Sequence, residues 1–248
     1  MTVSHVARAR AWRAGSMLCP MPTLADILGQ DRAVAALRSS LRAGRVHHAW
    51  VFHGPSGVGK MTTARAFAAT LLDPTLSETL TGDLEPDPES ETQRLIGAGV
   101  HPDLHVVTKE LALFSDDAAV RARKLITIPR QVVEEHLIRP ASLTARVPSG
   151  ARAGKVFIVD EAELLDEGTQ NAVLKTLEEP APGTVIILVT SRESRLLPTI
   201  RSRCQRVAFG ALDDSAMRAW IARDPERASV GQEQREWLLR FADGSPGR

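Results

Sequence analysis

The chain has 248 residues, 43% hydrophobic and 25% charged, enough for one large domain or for one domain with a small companion. A formal charge of +1 gives no global pull towards nucleic acid or membrane, and 4% aromatic residues with no Tyr argue against a single-strand binder built on stacking platforms. Cys19 and Cys204 stand far apart and seven His are scattered, which excludes a disulfide framework, gives no zinc site and makes a reducing cytoplasm the default.

Residues 1–21 carry Arg8, Arg10 and Arg13 without a continuous apolar segment behind them, so they read as a flexible leader and not a secretory signal. Met17 and Met21 are alternative starts. No apolar run approaches the roughly 18 residues of a membrane span. Val34, Leu37 and Leu41 recur at helical spacing over 32–42, ending at Gly44. His48 to His53 is a short buried strand that runs straight into Gly-Pro-Ser-Gly-Val-Gly-Lys-Met, residues 54–61. A helix over 60–72 follows, striped by Ala64, Phe67, Ala68 and Leu71.

From 73 to about 100 the acids Asp73, Glu78, Asp83, Glu85, Asp87, Glu89 and Glu91 sit among Pro74, Pro86 and Pro88, an acidic surface loop with little fixed structure. A strand is expected over 104–108, a loop to about 124 and an extended piece at 126–128. Pro129 opens a helix with Val132, Val133, His136 and Leu137 on one face. A loop over 144–154 precedes the strongest strand, Lys155-Val-Phe-Ile-Val-Asp160. A helix over 163–178, strands at 184–190 and 206–209, and helices at 213–223 and 232–242 complete the series. Strands alternating with helices predict an α/β fold with a mostly parallel sheet covered on both faces.

The chemistry begins at the glycine loop. Gly54, Gly57 and Gly59 let the backbone curl and aim its N–H groups at phosphate, and Lys60 adds a cation for the β- and γ-phosphates. The pattern asks next for Ser or Thr to hold Mg²⁺, and this chain has Met61, whose thioether is a poor ligand for a hard cation. Thr62 supplies a hydroxyl one residue later, rotated by roughly 100°. The loop either binds nucleotide feebly or is kept for architecture.

Asp160-Glu161-Ala-Glu163 at a strand end looks like a Walker B segment, where the first acid reaches Mg²⁺ and the second polarises the attacking water. Thr190, ending the next strand, is a γ-phosphate or water contact as readily as a polar strand terminus. Arg203, in Ser202-Arg203-Cys204, is either a solvated side chain or an arginine finger offered to a neighbouring subunit.

Ile27-Leu-Gly-Gln30, His48-Ala-Trp-Val-Phe-His-Gly54, Asp160-Glu-Ala, Leu174-Lys-Thr-Leu-Glu-Glu-Pro180 and Ser202-Arg-Cys204 together resemble AAA+ clamp-loader subunits. His101-Pro-Asp-Leu-His105 and Gly244-Ser-Pro-Gly-Arg248 look like the delta-prime branch of bacterial DNA polymerase III more than the gamma/tau motor branch. The resemblance covers about 22–248 and implies a five-stranded parallel AAA+ domain over 22–209 with a small helical lid over 210–248, the chain cut before the family's collar.

It further implies Arg203 as the finger on a neighbour's ATP, Thr190 as sensor 1 and Arg248 as sensor 2. ATP or ADP with Mg²⁺ through Asp160 is expected to bind weakly. The implied partners are gamma/tau-type and delta-type subunits, with sliding clamp and primed DNA reached through the assembled complex and no membrane. The family usually carries four Cys after the loop helix, and with none here no zinc is expected. Delta-prime subunits are often ATPase-inactive, which suits Met61; the intact Asp160-Glu161 pair supports the alternative, an active gamma/tau-type ATPase. A plain DNA-binding module fits poorly with near-zero net charge and scarce aromatics.

Overall fold

The computed structural model describes residues 21–247 except 123, 145 and 146, together with the backbone but not the side chain of Glu226. The expected leader, apart from Met21, and the sensor-2 position at Arg248 lie outside the described residues. Five parallel strands form the sheet: β1 Ala49–His53, β2 Leu104–Val107, β3 Lys155–Val159, β4 Thr184–Thr190 and β5 Gln205–Ala208. Their spatial order is β2-β3-β4-β1-β5, so the first strand lies between the fourth and fifth.

The strands are near-continuous apolar runs because both faces are covered, and all seven residues of β4 are buried. Side chains alternate between two cores. Trp50, Phe52, Val156, Ile158, Ile187 and Val189 face one, packed with helices α1 (Asp31–Arg42) and α2 (Lys60–Leu72). Val51, Phe157, Val159, Ile186 and Leu188 face the other, with α3 (Glu167–Glu178). The ring of Phe67 on α2 meets Trp50 edge-on at 5.3 Å, which fixes α2 over the sheet.

At the carboxyl edge of the sheet His53 pairs with Thr190 and Ala208. The strand order reverses beside β1, the place where open α/β sheets hold their ligands. Beyond β5 the described chain is helical, with α4 (Asp214–Ala222) and α5 (Gln232–Ala242). Asp166 and Asp213 cap α3 and α4, accepting from Thr169 N at 2.7 Å and Ala216 N at 2.8 Å. Among the described residues no helix is long and apolar enough to cross a membrane.

The acidic stretch departs from expectation. It is ordered, with an antiparallel hairpin pairing Ser77–Glu78 with Leu84–Glu85 and a helix over Glu91–Gly97. Two of its acids are buried and served. Asp73 accepts from Thr75 N, Thr75 Oγ1, Ser90 Oγ and Gln93 Nε2. Asp83 pairs with Arg38 at 3.0 Å and Arg42 at 2.8 Å, both on α1. These two acids act as internal hubs, because a paired and hydrogen-bonded carboxylate tolerates burial, while Glu78, Asp87, Glu89 and Glu91 are exposed.

Three smaller departures follow the same rule of tertiary context. The loop expected before residue 124 holds a 3-10 turn, Lys109–Phe114, and a helix, Ala118–Arg121. Ile128 makes an isolated parallel bridge to Leu165 in place of an extended piece. The helix expected from 163 is interrupted, a 3-10 turn at Ala162–Leu164 giving way to α3 at the Asp166 cap.

Candidate nucleotide site

The glycine loop leaves β1 at Gly54, where φ is +146° and a β-carbon would lie 2.1 Å from the Phe209 carbonyl oxygen, so only glycine fits. Gly57 and Gly59 also take positive φ, and α2 starts at once with Lys60. Lys60 is buried, its Nζ donating to Gly54 O at 2.8 Å and to Pro55 O. Burial lowers its pKa, opposed by the neighbouring Glu163 and Asp160. Gln30 braces the loop from below, with Nε2 donating to Val58 O at 3.2 Å and Gly210 O at 2.8 Å, and Oε1 accepting from Gly210 N. Gly247 N donates to Gly57 O at 3.0 Å, tying the C-terminal turn to the loop.

Met61 is partly buried against the core and lines the cleft together with the exposed Thr62. Asp160 immediately follows β3 opposite this point. Burial pushes its carboxyl above the usual range, although the Glu161 N–H donates to it at 3.0 Å. Arg65 lies one turn after Met61 on α2, where burial lowers the guanidinium pKa and the charge of Asp160 raises it.

Glu161 sits at φ +49°, and its carboxylate forms an ion pair with Lys109 at 2.7 Å. Glu163 accepts from Ser191 N at 3.1 Å and from the Ser191 hydroxyl. Burial alone would raise its pKa, but these bonds and one from Thr190 together hold it low. Thr190 is buried, its Oγ1 also accepting from Arg192 N at 3.0 Å.

Lys60, Thr62, Asp160, Glu161, Glu163 and Thr190 line a cleft of about 600 Å³. Ile27, Leu28, Leu212 and Trp220 give it an apolar end, and Arg223 and Arg227 a cationic rim. Arg227 stacks over the Trp220 ring at 3.6 Å and pairs with Asp224 at 3.0 Å, and Arg223 donates to Asp26 O. The volume, one apolar end and a glycine loop with Lys60 suit a nucleotide. The residues do not suit Mg²⁺. Met61 presents sulfur where a hydroxyl is needed, and the charge of Asp160 is already offset in part by Arg65.

The structure therefore brings Gly54, Gly57, Gly59, Lys60, Thr62, Asp160, Glu161 and Thr190 to one edge of the sheet. Arg203 is elsewhere. It lies in the turn before β5, half-exposed, with Nη2 on Glu178 Oε1 at 2.6 Å and Nη1 donating to Thr199 O at 2.9 Å. Next to it Cys204 is buried, its thiol pushed up to about 12 by burial. Sequence reasoning missed Lys109, Arg65 and the Arg223–Trp220–Arg227 rim. Lys109 follows a strand and Arg65 lies one helical turn after Met61, the only local hints.

Comparison with known proteins places the whole. Residues 29–213 match the family model described as DNA polymerase III, delta subunit. The delta-prime subunit of Pseudomonas aeruginosa is 34% identical over 213 residues, covering 85% of this chain and 57% of that protein. The tau subunit of Salmonella typhimurium is 31% identical over 98% of this chain, which covers 33% of that protein. The chain thus spans between a third and three-fifths of the length of these relatives. The Holliday junction branch migration motor RuvB of Thermotoga maritima shares the fold, with a TM-score of 0.56 at 16% identity over 91% of this chain and 61% of that one. With its five-stranded parallel sheet, glycine loop and matching family model, the chain belongs to the DNA polymerase III delta subunit family and is a clamp-loader subunit related to delta-prime.

Proposed function

We propose that the protein is a delta-prime-like subunit of the clamp loader, with little ATPase of its own, that completes the ATP site of a neighbouring motor subunit with Arg203. The observation that carries this reading is Met61 at the head of α2, where a hydrolysing loop needs a hydroxyl. The ion pair of Glu161 with Lys109 supports it, because a carboxylate held by a lysine is a weaker acceptor for a water proton. Arg203 has the freedom the role needs. Its bond to Glu178 is half-exposed, and such a pair is worth about 1 kcal/mol at most, so the guanidinium can leave it for a neighbour's phosphate. The neighbours would be gamma/tau-type and delta-type subunits, and sliding clamp and primed DNA would be met by the assembled ring.

The test is hydrolysis by the purified chain. ATP turnover in Mg²⁺ is expected at background level and unchanged in Glu161→Gln. Robust turnover that disappears in Glu161→Gln contradicts the proposal. That outcome would favour the second reading, an active motor, whose support is the intact Asp160-Glu161 pair and the tau relative that aligns along nearly the whole chain.

A further inference from the structure

Each carboxylate at the head of the cleft is already served from within the chain. Glu161 holds Lys109 at 2.7 Å, and Glu163 accepts the N–H and hydroxyl of Ser191. Asp160 accepts the Glu161 N–H at 3.0 Å and lies within the electrostatic reach of Arg65 on α2. Asp26, at the other end, accepts from Thr23 N and Thr23 Oγ1 at 2.9 Å. Arg65 and Met61 share a face of α2, four residues apart, and α2 packs on β3, which Asp160 immediately follows.

A phosphate loop facing acids sets two groups of negative charge against each other, and a dication ordinarily reconciles them. Here Met61 withdraws a metal ligand while fixed cations stand beside the acids. We propose that the cleft takes a nucleoside di- or triphosphate as the metal-free polyanion, with Lys60 on the phosphates and Arg65 and Lys109 neutralising the acids behind them. The metal's place in the charge balance is thus taken by side chains. This deepens the proposed role, and rests on it only for the loop's being a phosphate site.

The test is calorimetry of ADP titrated into the purified chain, once in excess EDTA and once in excess Mg²⁺. The two dissociation constants are expected to agree within about threefold. No binding in EDTA, or affinity rising about tenfold or more with Mg²⁺, overturns the proposal. Arg65→Gln is expected to weaken ADP about tenfold in EDTA and to recover when Mg²⁺ is added, since the dication then replaces the missing charge. An equal loss in both buffers contradicts the role given to Arg65, because a damaged fold is not rescued by metal. Met61→Thr should tighten binding in Mg²⁺ and leave it unchanged in EDTA; an equal gain in both counts against the proposal. None of these outcomes bears on Arg203, whose role is read from a neighbour's turnover.

Discussion

At the scale of the residue, the site depends on positions where one side chain fits and others do not. Gly54 is the sharpest case, with no room for a β-carbon against Phe209 O and a backbone angle that suits glycine. Gly54→Ala should cost about 3 kcal/mol or more, seen as a lower urea midpoint, because the Phe209 backbone must move. A midpoint within error of wild type would mean that the loop does not pack on Phe209 as described. Gln30 makes a second test. Its amide bridges α1, the loop and Gly210 with three hydrogen bonds, so Gln30→Ala should cost about 2 kcal/mol and weaken nucleotide binding together with stability.

The loop itself was legible in the sequence. Eight residues with three glycines and Lys60, placed between an apolar strand and a striped helix, constrain the backbone locally. Asp160 and Glu161 were legible for the same reason, as acids ending a strand. What local pattern did not reveal is what those acids touch. Lys109 reaches Glu161 from residues some fifty positions earlier in the chain, and Arg65 reads as an ordinary charged residue on an apolar helix until β3 is laid beside it.

At the scale of the element, helix and strand periods located nearly every long element, with α2, β4 and α5 found to the residue. The segment after α2 misled because acids and prolines are the signature of a solvated loop. Asp73 and Asp83 are instead its anchors, one collecting hydrogen bonds from the segment itself and the other gripping α1. Burial alone would raise the Asp73 pKa. The hydrogen bonds from Ser90, Thr75 and Gln93 together outweigh it and hold the carboxyl below its usual value.

A carboxyl whose folded pKa is depressed stabilises the fold above its unfolded pKa, about 4, and that contribution is lost as pH falls through the folded value. Stability of wild type should therefore fall below pH about 4 more steeply than that of Asp73→Asn, followed by urea unfolding across that range. Parallel curves would show that Asp73 is not held as charged carboxylate. Asp73→Ala should cost about 3 kcal/mol at neutral pH, since several donors lose their acceptor at once.

At the scale of the whole molecule, the parts divide into two places. The cleft lies at the carboxyl edge of the sheet, with its acids already paired. Arg203 lies outside the cleft, held by a half-exposed carboxylate. A chain that hydrolysed ATP for itself would need its acids free and a ligand for the metal. A chain that helps another needs a presentable cation and a stable body behind it. The pairing of Glu161, the substitution of Met61 and the position of Arg203 agree with the second description.

The most direct measurement is turnover of the assembled complex. The protein should be mixed with the gamma/tau-type and delta-type subunits proposed as its partners, and single-turnover ATP hydrolysis compared for wild type and Arg203→Ala. The expected result is an intact complex in which turnover at the adjoining motor site falls by on the order of a thousandfold. An Arg203→Ala complex that assembles and hydrolyses ATP at the wild-type rate would contradict the account.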